Sequence, residues 1–181
     1  SARLKARCYN FPIEILYLRD DDIPGYVADG VADIGIVGEN VVVEKNCKTT
    51  IIESLGFAKC RLSLAVPNVT KYSSIRDMNN KTIATSYPVI LSQFLEANGV
   101  NARIHEISGS VEIAPTIGLT DAICDIVSTG STLLSNGLKE VETVMKSEAV
   151  IISGRNLSIE KKDLLDKVLQ RLRSVRRAKS N

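Results

Sequence analysis

The residues best equipped for chemistry lie between Asp121 and Thr132, in the sequence DAICDIVSTGST. Asp125 stands inside an otherwise apolar run, and Ser128, Thr129, Gly130, Ser131 and Thr132 follow it. That turn supplies hydroxyls, backbone N–H groups outside any strand ladder, and a glycine able to take a positive φ. If Ser131 or Thr132 caps a helix there, these donors and the positive end of the helix dipole converge on an anion. The acid ahead of the turn can accept hydrogen bonds from a sugar hydroxyl or hold a metal-bound water. An acid followed by a hydroxyl-rich cradle suits a ribose phosphate. The plainer alternative is an ordinary capped turn between strand and helix.

Four further places carry polar groups of interest. Arg19 precedes three carboxylates, Asp20, Asp21 and Asp22. One of them, Asp22 above all, can cap the helix that begins around Pro24, but a single cap does not need three acids. The alternative puts Arg19 and part of the acidic group at the mouth of a cleft, with the arginine facing phosphate oxygens. Tyr87 stands before Pro88 at the start of a well-marked helix, a second candidate site for an anion or a base, although a tyrosine at a core edge is the commoner role. Glu112 either contacts substrate hydroxyls or caps a short helix. His105 lies in an alternating strand and reads as a surface or packing residue.

The elements that must position these groups follow from periodicity. Ala122 to Val127 reads as a buried strand. Leu4 to Tyr9 and Ile13 to Leu18 form a hairpin around Asn10-Phe11-Pro12. Val31 to Val37 is a strand, turned by Gly38-Glu39-Asn40 into a helix from Val41 to about Lys45, and Thr50 to Leu55 is another strand. Cys60 to Val66, Lys81 to Thr85 and Ala102 to Ile107 are strands. Ile75 to Asn80 is a short helix, and the helix after Pro88 buries Ile90, Leu91, Phe94 and Leu95 and stops at Asn98-Gly99. Val141 to Met145 and Ala149 to Ile152 are strands. A final amphipathic helix runs from Ser158 to about Lys179 with a solvated basic end. The stretch ADIGIVGEN echoes CDIVSTGS, an acid in a short strand leading through glycine into a helix. That echo fits two α/β lobes sharing a ligand cleft.

Composition excludes several classes. The chain has 181 residues, with 44% apolar and 24% charged side chains, as in a globular protein able to bury a core. The 23 basic and 21 acidic side chains give a net charge of +2, and no general reason to expect nucleic acid or membrane binding. The N-terminus shows no basic-then-apolar leader, and the chain opens without Met. The four cysteines lack C-x-x-C spacing and there is one histidine, which argues against a zinc or redox motif. Reduced thiols without a leader point to the cytoplasm.

The longer context carries a family resemblance. Gly109-Ser110-Val111-Glu112, Ala114-Pro115, Gly118 to Ile123 and Asp125 to Leu133 resemble the signature of ATP phosphoribosyltransferase, and Asn136-Gly137-Leu138 and Glu140-Val141-Glu142 extend it. Upstream, Arg19 to Pro24, Ala32 to Asn40 and Cys60 to Ala65 resemble the same family in the same order. The resemblance implies a two-lobed α/β fold of the periplasmic-binding-protein type (type II), with residues 1–58 and 142–181 in lobe I and residues 59–141 in lobe II. It implies transfer of a phosphoribosyl group from phosphoribosyl pyrophosphate to N1 of the ATP adenine, with Mg2+ as cofactor and a homo-oligomer, dimer or hexamer. It gives Arg19 and Asp125 catalytic roles. Substrate binding falls to Asp21, Asp22, Tyr87, Glu112 and the Ser128, Thr129, Gly130, Ser131 and Thr132 turn, and no residue is a dedicated metal ligand.

The sequence departs from the family pattern in two respects. Nothing matches the family's N-terminal strand with its Gly-Arg-Leu turn and helix, so this chain alone is expected to be a poor enzyme. RDDDIP and GEN resemble the long form, whose histidine-binding regulatory domain lies beyond the last helix, whereas the sequence stops at Asn181. The rival reading is a two-lobed module that closes on a small anion without chemistry, and a third is a catalytically dead or regulatory fragment.

Overall fold

The structure is a computed structural model and describes residues 4–180. In chain order its strands and helices are β1 (Lys5–Arg7), β2 (Glu14–Leu16), α1 (Ile23–Ala28), β3 (Ile34–Gly38), α2 (Glu39–Lys45) and β4 (Thr50–Ser54). They continue with β5 (Cys60–Pro67), β6 (Thr82–Thr85), α3 (Pro88–Ala97), β7 (Arg103–Glu106) and β8 (Ala122–Val127). The last are α4 (Ser131–Ser135), β9 (Leu138–Ser147), β10 (Ala149–Ser153) and α5 (Ile159–Ser180). Short 3-10 turns occupy Asp20–Asp22, Ile75–Met78 and Val111–Ile113.

The chain divides into two compact units. The first runs through Val37, takes in Cys47–Leu55 and resumes at Val150; the second comprises Gly38–Asn46 and Gly56–Ala149. These bounds differ from the expected 1–58 with 142–181 and 59–141. β9 stays paired with β5 from Leu138 to Ser147, so the chain leaves the second unit only after Ala149. Helix α2 belongs with α3 and β9, because Glu44 and Asn40 bond to residues of the second unit.

In the first unit, β1 and β2 form the expected antiparallel hairpin, Lys5 opposite Leu16. A separate sheet has the order β3-β10-β4, and β10 is buried along its whole length, as befits an apolar central strand. Helix α5 buries Leu165 and Leu169. Its basic end is not simply solvated, as the sequence suggested. Arg173 and Arg176 both reach Glu53 of β4, at 2.5 and 2.6 Å, and Arg171 stacks 4.8 Å from the Phe11 ring.

The second unit is built on a five-stranded sheet of order β7-β6-β8-β5-β9. β6 is parallel to β7 and β8, while β5 is antiparallel to β8 and β9. Strand alternation gives the sheet two apolar faces. Leu62, Leu64, Val66, Ile83, Ala122 and Cys124 face one core with Ile90, Leu91 and Leu95 of α3. Ala65, Ala84, Ile123 and Val127 face the other, with Val111, Ala114, Leu133 and Leu138. Each fully buried Leu, Ile or Val contributes about 1.5–3 kcal/mol. Both layers are therefore held firmly against the strand that carries Asp125.

Candidate functional site

Asp125 sits on β8 between Ile123 and Val127, so its side chain shares the face of the second core. Its cross-strand partner is the buried Ser63 of β5. One carboxylate oxygen accepts from the Ile126 N–H at 2.8 Å. Partial burial pushes the Asp125 carboxyl above its ordinary range, the Ile126 hydrogen bond opposes that, and the nearby Glu112 charge adds to the rise. Glu112 lies in the Val111–Ile113 turn, which is anchored by Val111 in the second core. The Val111–Ile113 turn thus packs against β8 and places the Glu112 charge near enough to bear on Asp125, ahead of the hydroxyl-rich turn.

At that turn Gly130 takes φ +85°, and it occupies the cap position of α4. This corrects the expectation that Ser131 or Thr132 caps the helix. The reversal needs a left-handed residue, which glycine supplies without a side chain, so Ser131 and Thr132 fall inside the first turn of α4. Thr129 Oγ1 lies 3.1 Å from Ser131 Oγ and receives the Ser131 N–H at 3.5 Å. Ser128, Thr129, Ser131 and Thr132 are exposed. Among the described residues, the N–H groups of Thr129 and Gly130 have no protein acceptor. Hydroxyls and free amides thus stand at one tip, one turn of chain beyond Asp125.

The start of α3, the second candidate anion site, is already filled. The Glu44 carboxylate of α2 accepts from the Val89 N–H at 2.8 and 2.9 Å and from the Ile90 N–H at 3.4 Å. A carboxylate on those amides leaves no place for a second anion. Tyr87 caps this helix and packs at the edge of the first core, and its hydroxyl accepts from Asn40 Nδ2 at 3.4 Å. It is therefore separate from Asp125, which lies on the other face.

Arg19, Asp21 and Asp22 belong to the first unit and are exposed. Asp22 holds the cap position of α1, yet its carboxylate makes no capping bond. The Asp21 N–H is taken by Asp20 at 3.0 Å. Among the described residues, the side chains of Arg19, Asp21 and Asp22 make no hydrogen bond or ion pair. The capping explanation therefore does not account for them.

The echo between the two glycine turns is not repeated in the backbone. Gly38 has φ −63°, unlike Gly130, and a Cβ there would collide with Asn40 Oδ1. Asn40 and Ser147, neither singled out from sequence, are both buried. The Asn40 N–H donates to Ser147 Oγ at 3.0 Å, and that hydroxyl donates to Asn40 Oδ1 at 2.9 Å. Asp33, the counterpart of Asp125 in the echo, pairs with Lys161 at 2.8 Å.

The other group missed from sequence lines a cavity of about 510 Å³, wholly within the second unit, where Lys59, Arg61 and Lys146 meet Ser128, Glu39 and Glu148. The pairing of β5 with β9, Arg61 opposite Lys146, creates it, and no local pattern announces that register. Among the described residues, no cluster of three or more His, Cys, Asp or Glu could hold a metal ion. Asp125 with Glu112 is a two-carboxylate set, which suits Mg2+ only when substrate oxygens and water complete its shell.

With this geometry in place, comparison with known proteins is decisive. The family model for ATP phosphoribosyltransferase matches residues 19–174. The chain belongs to the ATP phosphoribosyltransferase family. It is 61% identical over 175 residues to the ATP phosphoribosyltransferase of Cytophaga hutchinsonii, and the match covers 97% of this chain. The chain spans 61% of that relative's length. An ATP phosphoribosyl transferase (HisG:HisZ) complex from Thermotoga maritima superposes with a TM-score of 0.82 at 28% identity, covering 97% of this chain and 84% of that one. A substrate-binding protein of an amino acid ABC transporter superposes with a TM-score of 0.64 at 16% identity, over 87% of this chain and 71% of that one. That second likeness speaks for the fold alone, and it agrees with the expected two-lobed periplasmic-binding-protein-like class. No helix among the described residues is long and apolar enough to cross a membrane.

Proposed function

We propose that this member of the ATP phosphoribosyltransferase family transfers the phosphoribosyl group of phosphoribosyl pyrophosphate to N1 of the ATP adenine. The C1–N1 bond forms as the bond from C1 to the pyrophosphate oxygen breaks, giving N1-(5-phosphoribosyl)-ATP and pyrophosphate. The observation that carries the reading is a half-buried carboxylate, Asp125, directly ahead of a turn with free amides and hydroxyls, in a chain matched by the family model over residues 19–174. In this scheme the Ser128 to Thr132 turn holds the 5-phosphate, while Asp125 and Glu112 accept hydrogen bonds from the ribose hydroxyls. Arg19 faces the pyrophosphate or triphosphate, and Asp21 or Asp22 contacts the other nucleotide, while Tyr87, packed against the α3 core on the opposite face from Asp125, is left out of the scheme.

Positive charge developing on the ribose ring favours nearby carboxylates, so Asp125 stabilises the transition state by position and charge, without becoming a covalent nucleophile. Magnesium bound together with the substrate would supply charge compensation for the departing pyrophosphate, with substrate oxygens and water completing its shell. The assembled protein is a homo-oligomer, a dimer or hexamer, working in the cytoplasm. The test is calorimetric binding of phosphoribosyl pyrophosphate, followed by pyrophosphate release when ATP and magnesium are added. Binding with ATP-dependent release is the expected result. Binding without release, in this chain and equally in a version carrying the family's N-terminal strand, turn and helix, identifies an anion-binding module instead, and affinity no better than that for inorganic phosphate overturns the cradle assignment.

A further inference from the structure

Ser63 of β5 is a polar residue that neither the packing nor the proposed chemistry uses. It is fully buried, yet its hydroxyl has no hydrogen-bond partner among the described residues. A buried polar atom in that state has lost its hydration with nothing to replace it, so such atoms are rare and mark strain or function. Packing alone does not ask for a hydroxyl here, since Ala65, the next residue on the same face of β5, is buried without one. The neighbours decide which acceptor the hydroxyl suits. Ser63 stands directly opposite Asp125 of β8 on one side, and on the other Glu140 of β9 lies opposite Ala65. Both Glu140 oxygens are occupied by the Arg61 guanidinium, at 2.7 and 3.0 Å. Arg61 holds the Glu140 carboxyl below its ordinary range against the effect of burial, and Ser63 adds only a smaller influence, from outside hydrogen-bonding geometry. Asp125 is less well served. One of its oxygens accepts from the Ile126 N–H at 2.8 Å, and the other has no protein donor among the described residues. Directly opposed side chains on one face of a sheet have Cβ atoms about 4.5–5.5 Å apart, so turning the serine χ1 between staggered wells brings its hydroxyl to that carboxylate.

The geometry points to Ser63 as a positioning residue for the reaction: its hydroxyl donates to the free oxygen of Asp125 and aims the carboxylate at the ribose hydroxyls. This rests on the reading of Asp125 as the ribose contact, and a double-mutant cycle separates the two. Ribose 5-phosphate and inorganic phosphate are titrated by calorimetry into the 181-residue wild type, Ser63→Ala, Ser63→Thr, Asp125→Ala and the Ser63→Ala/Asp125→Ala double variant, and urea unfolding is measured for each. Ser63→Ala is expected to lose about threefold to tenfold in ribose 5-phosphate affinity, as for the loss of one hydrogen bond. Its affinity for inorganic phosphate is unchanged, and its stability equals or exceeds that of wild type because the unpartnered hydroxyl is gone. Ser63→Thr, which keeps the hydroxyl, retains most of the ribose 5-phosphate affinity. In the Asp125→Ala background Ser63→Ala has no further effect, since no carboxylate is left to orient. The positioning role is overturned if Ser63→Ala leaves ribose 5-phosphate affinity unchanged, weakens both ligands equally, or weakens binding as much again without Asp125. A Ser63→Thr variant as weak as Ser63→Ala at equal stability also overturns it. If Asp125→Ala itself binds ribose 5-phosphate as wild type does, the ribose contact falls and the role of Ser63 with it; if Asp125→Ala binds weakly and Ser63→Ala binds normally, only the role of Ser63 falls.

Discussion

Replacing Asp125 by Asn should move stability and ligand binding in opposite directions. The Ile126 N–H that Asp125 accepts at 2.8 Å keeps an acceptor, because the Asn carbonyl oxygen can take the same position. The substitution removes the cost of holding a charge in a partly buried place beside Glu112, the two influences that raise the Asp125 pKa. Its folded value lies above the ordinary 3.8, so the folded state binds more protons than the unfolded state as pH climbs from 3.8 to that raised value. The contribution of Asp125 to stability is therefore fullest below pH 3.8 and is lost as pH rises through the folded value. Asp125→Asn lacks that loss, so at neutral pH it should be at least as stable as wild type, and the advantage should vanish in acid. Binding should go the other way. Exchanging a charged acceptor for a neutral one forfeits a charge-assisted hydrogen bond of about 1.5–3 kcal/mol, or about one to two decades in affinity for phosphoribosyl pyrophosphate. Urea denaturation at several pH values and calorimetric titration measure the two effects. A variant destabilised by more than about 2 kcal/mol at neutral pH would show that Asp125 holds the fold together rather than a ligand.

The cradle makes a matching prediction. Thr129→Val should weaken phosphoribosyl pyrophosphate binding by about one to two decades, while thermal stability stays within about 0.5 kcal/mol, because its hydroxyl is exposed and, among the described residues, hydrogen-bonds only with Ser131; an unchanged dissociation constant sinks the phosphate assignment. At the start of α3, Glu44→Ala should cost about 1–2 kcal/mol in denaturant unfolding, as for a lost cap. Glu44→Gln should cost little, since burial already raises the Glu44 pKa against its hydrogen bonds from Val89 and Ile90 and a neutral acceptor escapes that cost; equal losses in both variants would refute this account. Ser147→Ala should destabilise by about 2–3 kcal/mol, because the Asn40 N–H and Oδ1 are left buried without Ser147. A loss below about 0.5 kcal/mol would mean that water replaces the hydroxyl.

What could be read from sequence was whatever neighbouring residues decide among themselves. The apolar run ending at Val127 and the glycine after it fix a strand and a reversal within a few residues, and both are present. Pro88 at the first turn and Asn98-Gly99 at the end delimit α3 in the same way. The errors fall where the partner is remote. The basic end of α5 looks solvated until Glu53 is brought to Arg173 across 120 residues of sequence. The first turn of α3 looks like an open anion site until α2 places Glu44 on it, 45 residues away. Asp22 has the residue type and position of a helix cap, but its carboxylate makes no capping bond, so type and position alone did not decide its role.

The site itself depends on a parity that no local pattern states. Within β8, residues 122 and 124 face the α3 core while 123 and 127 face the other, so Asp125 takes the second face with them. The pairing of Ser63 with Asp125, and of Leu62 and Leu64 with Ile126 and Cys124, fixes that choice. Turning β8 over would drive a carboxylate among Leu62, Leu64 and Leu91 and bring Cys124 to the ligand side, costing several kcal/mol. The apolar residues of β5 and β8 thus do more than stabilise the sheet. By making the alternative register prohibitively costly, they hold one carboxylate on the face where the Val111–Ile113 turn supplies Glu112. A substitution in either core that loosens this register should therefore reduce ligand affinity before it unfolds the chain.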